Sequence, residues 1–253
     1  MTPQSYLRVK ACRITVVSLI ATIAFVFLWG GCASGPRKRP MTVLEQIQQD
    51  NTIGPGLSER LDPSLRFKTD LEVAVYLKRL GRKLASSFAD LKNTPLAVLV
   101  ISDRDSVWRS FAIPGIRAYV SAGILAHIEY ENELAAVLAF ELGHILRRQL
   151  VTRLKRESWD PALGFFPKFD VSEDLEALDD AMEILYQAGF DQRGMISLWE
   201  IYERNIKSSP FSKEELLKLK EATRRMMVEY VPLRDPIVRT DDFILVQKRF
   251  RKL

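Results

Sequence analysis

The chain has 253 residues, 47% of them hydrophobic, and a formal net charge of +5. That length accommodates one large domain or two small ones, and that apolar share supports a buried core, which excludes a disordered chain. Residues 1–31 carry three of the 37 basic residues and none of the 32 acidic ones, so without them the +5 falls to +2, a balance with no footprint for nucleic acid.

Arg8, Lys10 and Arg13 precede an uncharged run from Ile14 to Trp29 that ends in Gly30-Gly31-Cys32-Ala33-Ser34, the layout of a secretory signal over residues 1–31. The run is shorter than the roughly 20 residues of a spanning helix, which weighs a cleaved signal above an uncleaved anchor. Leu28-Trp29-Gly30-Gly31-Cys32 resembles a bacterial lipobox, with Trp29 where Leu is usual. That resemblance implies lipid on Cys32 and a protein anchored on the periplasmic side of a bacterial envelope. Ala33 does not resemble the Asp-type retention signal of the inner membrane, so the outer membrane is the expected leaflet. Cys12 and Cys32 are the only cysteines, so a cleaved chain holds one thiol and relies on its core.

Residues 32–65 read as a tether and docking segment, rich in Pro, Gly, Ser and Gln, with a short amphipathic stretch from Met41 to Gln49. Within it, Arg37-Lys38-Arg39 has two readings, contact with anionic headgroups or a solvated tether between Pro36 and Pro40. The body occupies residues 66–253. Helical periodicity runs from Asp70 to Phe88 through Leu71, Val75, Leu77, Leu80, Leu84 and Phe88. Three strands follow: Leu96 to Ser102, Val107 to Ile113, and Ile116 to Val120 after the Pro114-Gly115 turn. The remainder reads as helices over Glu131 to Leu150, Ser172 to Ala188, Gln192 to Ile206, Lys213 to Val231 and Asp241 to Phe250, with a proline-rich loop from Trp159 to Pro167 and Gly189 as a C-terminal cap.

Phe140-Glu141-Leu142-Gly143-His144 has the frame of HExxH with Phe at the first place. In HExxH two imidazoles one helical turn apart grip a zinc, and the Glu beside the first reaches the metal-bound water. Phe140 offers no lone pair. Without a metal, Glu141 reads as a helix carboxylate paired with His144 or Arg148, and His144 as an imidazole packed on Phe140 and hydrogen-bonded in the core. His127 reads as structural. Ala135, Ala139 and Gly143 recur every four residues and would admit a close helix neighbour, while Phe140 would fill the space that an imidazole and a metal leave.

The surroundings resemble the HtpX and CAAX-prenyl-protease family of zinc metallopeptidases, peptidase family M48, in its periplasmic lipoprotein form. The matching residues are Phe111-Ala112-Ile113-Pro114-Gly115, Ser121-Ala122-Gly123-Ile124-Leu125, Glu133 to His144, and Ala188-Gly189-Phe190-Asp191, over roughly Leu57 to Leu198. The resemblance implies an α+β fold, a mainly helical gluzincin-type domain with a small three-stranded sheet packed on the active-site helix. It implies zinc as cofactor, Glu141 as catalytic base and His144 as a metal ligand. The third ligand is Asp174 in one register and, after a two-residue slip, Glu176 in the other; Leu178 stands where the family has Asp.

Three functions follow. One is a pseudopeptidase that keeps the fold, with zinc weak or absent, and binds unfolded or extended envelope proteins as an adaptor or chaperone. Another is an active zinc endopeptidase with altered ligands. The last is a structural envelope lipoprotein. In each the membrane partner is reached through the lipid on Cys32.

Overall fold

The computed structural model describes residues 41–92, 96–103, 106–115, 117–156 and 168–253; the signal, Cys32, the basic tether and the Trp159 to Pro167 loop lie outside them. Thr42 and Glu45 close a reciprocal capping box that starts α1 (Val43–Asp50). Helix α2 (Gly54–Leu61) and a 3-10 turn (Asp62–Ser64) come next. These residues of the docking segment bury Ile47 and Leu61 and belong with the body in one unit, Met41–Leu253.

Strand β1 (Phe67–Lys68) leads into α3 (Leu71–Ser87), whose first turn is capped by the Asp70 carboxylate accepting from Val73 N–H at 3.1 Å. The stripe of α3 that meets the core is Val73, Tyr76, Leu77, Leu80 and Leu84, which corrects the expectation for Leu71 and Val75, at 81% and 52% exposure. From Val75 to Leu77 is a step of two residues, about 200° around a helix, so Val75 and Leu77 cannot share a face.

The sheet has four strands rather than three, in the order β1-β2-β4-β3. Strands β2 (Ala97–Ile101) and β4 (Arg117–Ser121) are parallel, while β1 on β2 and β3 (Phe111–Ile113) on β4 are antiparallel. The added strand, β1, is two exposed residues, too short for alternation to reveal. The segment expected as a strand from Val107 shortens to Phe111–Ile113, because Ser106 turns the chain at φ 60° and Trp108 N–H donates to Ser208 O at 2.7 Å instead of to a ladder.

After α4 (Ala122–His127), α5 (Glu131–Leu146) runs through the centre with every residue buried. A helix apolar all round belongs inside a domain, and here α3, the sheet and later helices enclose it. Those are α6 (Gln149–Arg156), α7 (Val171–Gln187) and α8 (Arg193–Arg204), while α9 (Lys213–Met227) packs on α7 and α8, and α10 (Asp241–Phe250) on α3 and α4. Gly143 is the point of closest approach: a Cβ there would lie 2.1 Å from Ala177 O on α7. Gly189, at φ +81°, ends α7, and Phe190 N–H donates back to Leu185 O at 2.9 Å. No helix among the described residues is long and apolar enough to cross a membrane.

The helix expected from Glu131 to Leu150 breaks after Leu146. Arg148 adopts φ 56°, and its guanidinium is held by Asp50 of α1 at 2.5 and 3.0 Å and by Gln46 at 2.5 Å. A left-handed residue stops α5 and redirects the chain into α6.

Candidate functional site

Helix periodicity brings Phe140 and His144 one above the other on α5, and their rings meet edge to face with centroids 4.7 Å apart. The Phe140 ring is buried and also abuts Trp199 of α8 at 5.2 Å and Phe211 at 6.3 Å. Trp199 is itself anchored, donating its Nε1–H to Thr223 Oγ1 at 3.0 Å. The first ligand position of the motif is thus part of an aromatic cluster.

The break in α5 sets the orientation of His144. It brings Gln149, the first residue of α6, across the imidazole, with Gln149 Oε1 2.5 Å from His144 Nδ1. Gln149 Nε2 donates to Glu173 O at 2.8 Å, so its oxygen faces the ring and Nδ1 carries the proton. Phe169 stacks on the other side at 4.3 Å. Burial pushes the His144 pKa down to about 4, with Gln149 opposing it, so the ring is neutral and Nε2 presents a lone pair. That lone pair faces Asp174 Oδ1 at 3.7 Å.

Asp174 lies in the first turn of α7, whose N-cap is Asp170, and is 3% exposed. Burial, then the charge of Glu215, pushes its carboxyl up to about 7, against Lys168. Its Oδ2 is buried with no hydrogen-bond partner. Glu176, two residues on, points outward and touches the site only through Gln149 Nε2 at 3.5 Å, the far limit of a hydrogen bond. Of the two readings of the ligand helix, it is Asp174 that stands beside His144. Leu178 is buried in the core.

Glu141 is 7% exposed, and burial followed by the charge of Asp174 pushes its pKa up to about 8, partly offset by the Ala112 N–H of β3. The expected pairing with Arg148 is corrected, since that guanidinium goes to Asp50 and Gln46. His127 sits apart from the site, against Trp108 at 4.3 Å. Glu141, His144 and Asp174 share a cavity of about 50 Å³, with Phe140, Trp199 and Tyr202 on its walls and Arg109, Lys168 and Phe211 nearer its mouth. Gln149, Phe169 and the Trp199–Phe211 cluster were not signalled by the motif; Gln149 is five residues past His144 and reaches it only because the helix breaks.

A catalytic zinc takes three protein ligands at about 2.0–2.2 Å and keeps a fourth position open. Phe140 supplies none, and among the described residues no three His, Cys, Asp or Glu side chains come together as a metal-holding group. The neutral Nε2 of His144 and the unpartnered Asp174 oxygen are two donors of such a set, and two do not complete it. The described residues do not fit a resident catalytic zinc.

Residues 72–171 match the family model of peptidase family M48, a stretch from the start of α3 to the first residue of α7 that includes Phe140, Glu141 and His144 and stops three residues before Asp174. A putative beta-barrel assembly-enhancing protease of Vibrio cholerae serotype O1 is 32% identical over 112 residues. That match covers 44% of this chain, and the chain spans only 22% of the relative's length. The chain is thus similar to peptidase family M48 over residues 72–171, the stretch that holds the buried HExxH-frame helix and strands β2, β3 and β4 beside it.

Proposed function

We propose that the chain is an envelope lipoprotein, held through lipid on Cys32, whose M48 body binds an unfolded or extended envelope protein without cleaving it. The observation that carries this reading is the Phe140 ring, packed against His144 and Trp199 at the position of the first zinc ligand. The relative's name, a beta-barrel assembly-enhancing protease, supports the envelope setting. The test is incubation of the full chain with reduced, unfolded casein, with and without added zinc. Retention of casein on the immobilised protein with its length unchanged is the expected result; fragments that Glu141→Gln abolishes would instead establish a peptidase with altered ligands. The lipid anchor is tested separately by Cys32→Ala, which should move the protein out of the membrane fraction; continued sedimentation with membranes would refute it.

The unpartnered Asp174 oxygen favours that second reading, because a buried carboxylate beside a neutral imidazole is a partial metal site. The two readings part on cleavage, not on binding.

A further inference from the structure

In the cavity beside Phe140, His144 Nε2 and an Asp174 oxygen face each other at 3.7 Å. His144 Nε2 presents a lone pair, and Asp174 carries a second oxygen without a partner although its residue is 3% exposed. Lys168 near the mouth is committed to Glu215, at 2.8 and 2.9 Å. A buried polar group without a partner is costly, and the unpartnered Asp174 oxygen beside the His144 lone pair calls for one ligand that carries more than one donor.

The walls narrow the choice. Phe140, Trp199 and Tyr202 bring aromatic rings to the cavity, and ring faces attract a cation most strongly when water is excluded. The cavity of about 50 Å³ takes a compact head on a thin stem rather than a planar guanidinium. We infer that the cavity is a site for a primary ammonium on an alkyl stem, the chemistry of a lysine side chain, with Asp174 as its counter-ion and Phe140 forming part of its wall. This deepens the reading of the cleft as a binding site and rests on it. A carboxylate ligand is disfavoured, because the groups at the bottom of the cavity are themselves acids.

The experiment uses the full chain in detergent after chelator treatment, with its zinc content measured in the same sample. Ligand-observed saturation-transfer NMR compares n-butylamine, 1-butanol and butyrate. Butylammonium should bind about ten-fold or more tightly than butanol, with butyrate not binding, as expected for a desolvated cation meeting a carboxylate. Asp174→Asn should erase that preference, whereas Glu72→Gln on the surface should keep it. Equal binding of amine and alcohol, preferred binding of butyrate, or an amine preference that survives Asp174→Asn overturns the inference. A capped pentapeptide with a central Lys, set against the same peptide with norleucine, separates the sources of the ammonium. A lysine peptide that outcompetes butylamine assigns a protein chain, and the reverse assigns a free amine. Failure here is distinct from failure of the proposed function, since bound zinc or casein cleavage would sink that reading whatever the amines do.

Discussion

Glu141→Gln should make the protein more stable at alkaline pH, by an amount that grows as pH rises. The folded Glu141 carboxyl titrates at about 8 and the unfolded one at 4.5, so the native state holds a proton that the unfolded chain has lost. Stability from this group is therefore full below pH 4.5 and declines as pH climbs through 8. Between pH 5 and pH 9 the decline is about 4 kcal/mol, at roughly 1.4 kcal/mol for each pKa unit. Glutamine keeps the shape and cannot ionise. Thermal melts of wild type and variant at pH 5 and pH 9 should show a gap that widens by on the order of 10 °C in favour of the variant. A gap that stays constant across that range, or that favours wild type at pH 9, would refute the picture of an uncompensated buried carboxyl.

Gly143→Ala places a methyl 2.1 Å from Ala177 O and should force α5 and α7 apart, lowering the urea midpoint by about 1–3 kcal/mol of stability; an unchanged midpoint would contradict that contact. Arg148→Ala strands the Asp50 carboxylate, 8% exposed, and should cost about 3 kcal/mol in the same assay, while Arg148→Gly, which suits φ 56° better, should cost nearly as much. Full rescue by glycine would mean that backbone conformation, and not the ion pair, fixes the break between α5 and α6.

Much of the body was legible because its signals are local. The buried α5, the Gly189 cap and the close approach at Gly143 follow from apolar runs, a glycine after a helix and small residues at four-residue spacing. Strand β1 was not legible, since two exposed residues carry no period, and the outward turn of Leu71 and Val75 shows threes and fours counted across a step of two. The site was half legible. Phe140, Glu141 and His144 declare themselves by spacing on one helix, but the choice between Asp174 and Glu176 depends on how α7 packs, which only the fold supplies. Gln149 is hidden for a further reason: it faces His144 because Arg148 breaks the helix, and Arg148 does so in a pairing with Asp50, 98 residues earlier in the chain.

The measurement closest to the central claim is zinc per chain in full-length protein purified without chelator or added metal, beside the same protein carrying Phe140→His. Wild type should hold far less than one zinc. Phe140→His should approach about one, because a second imidazole would join His144 Nε2 and the Asp174 carboxylate, already 3.7 Å apart, in a three-ligand set. About one zinc per wild-type chain would contradict the account, and the aromatic cluster around Phe140 would then have to be read as the wall of a working metal site.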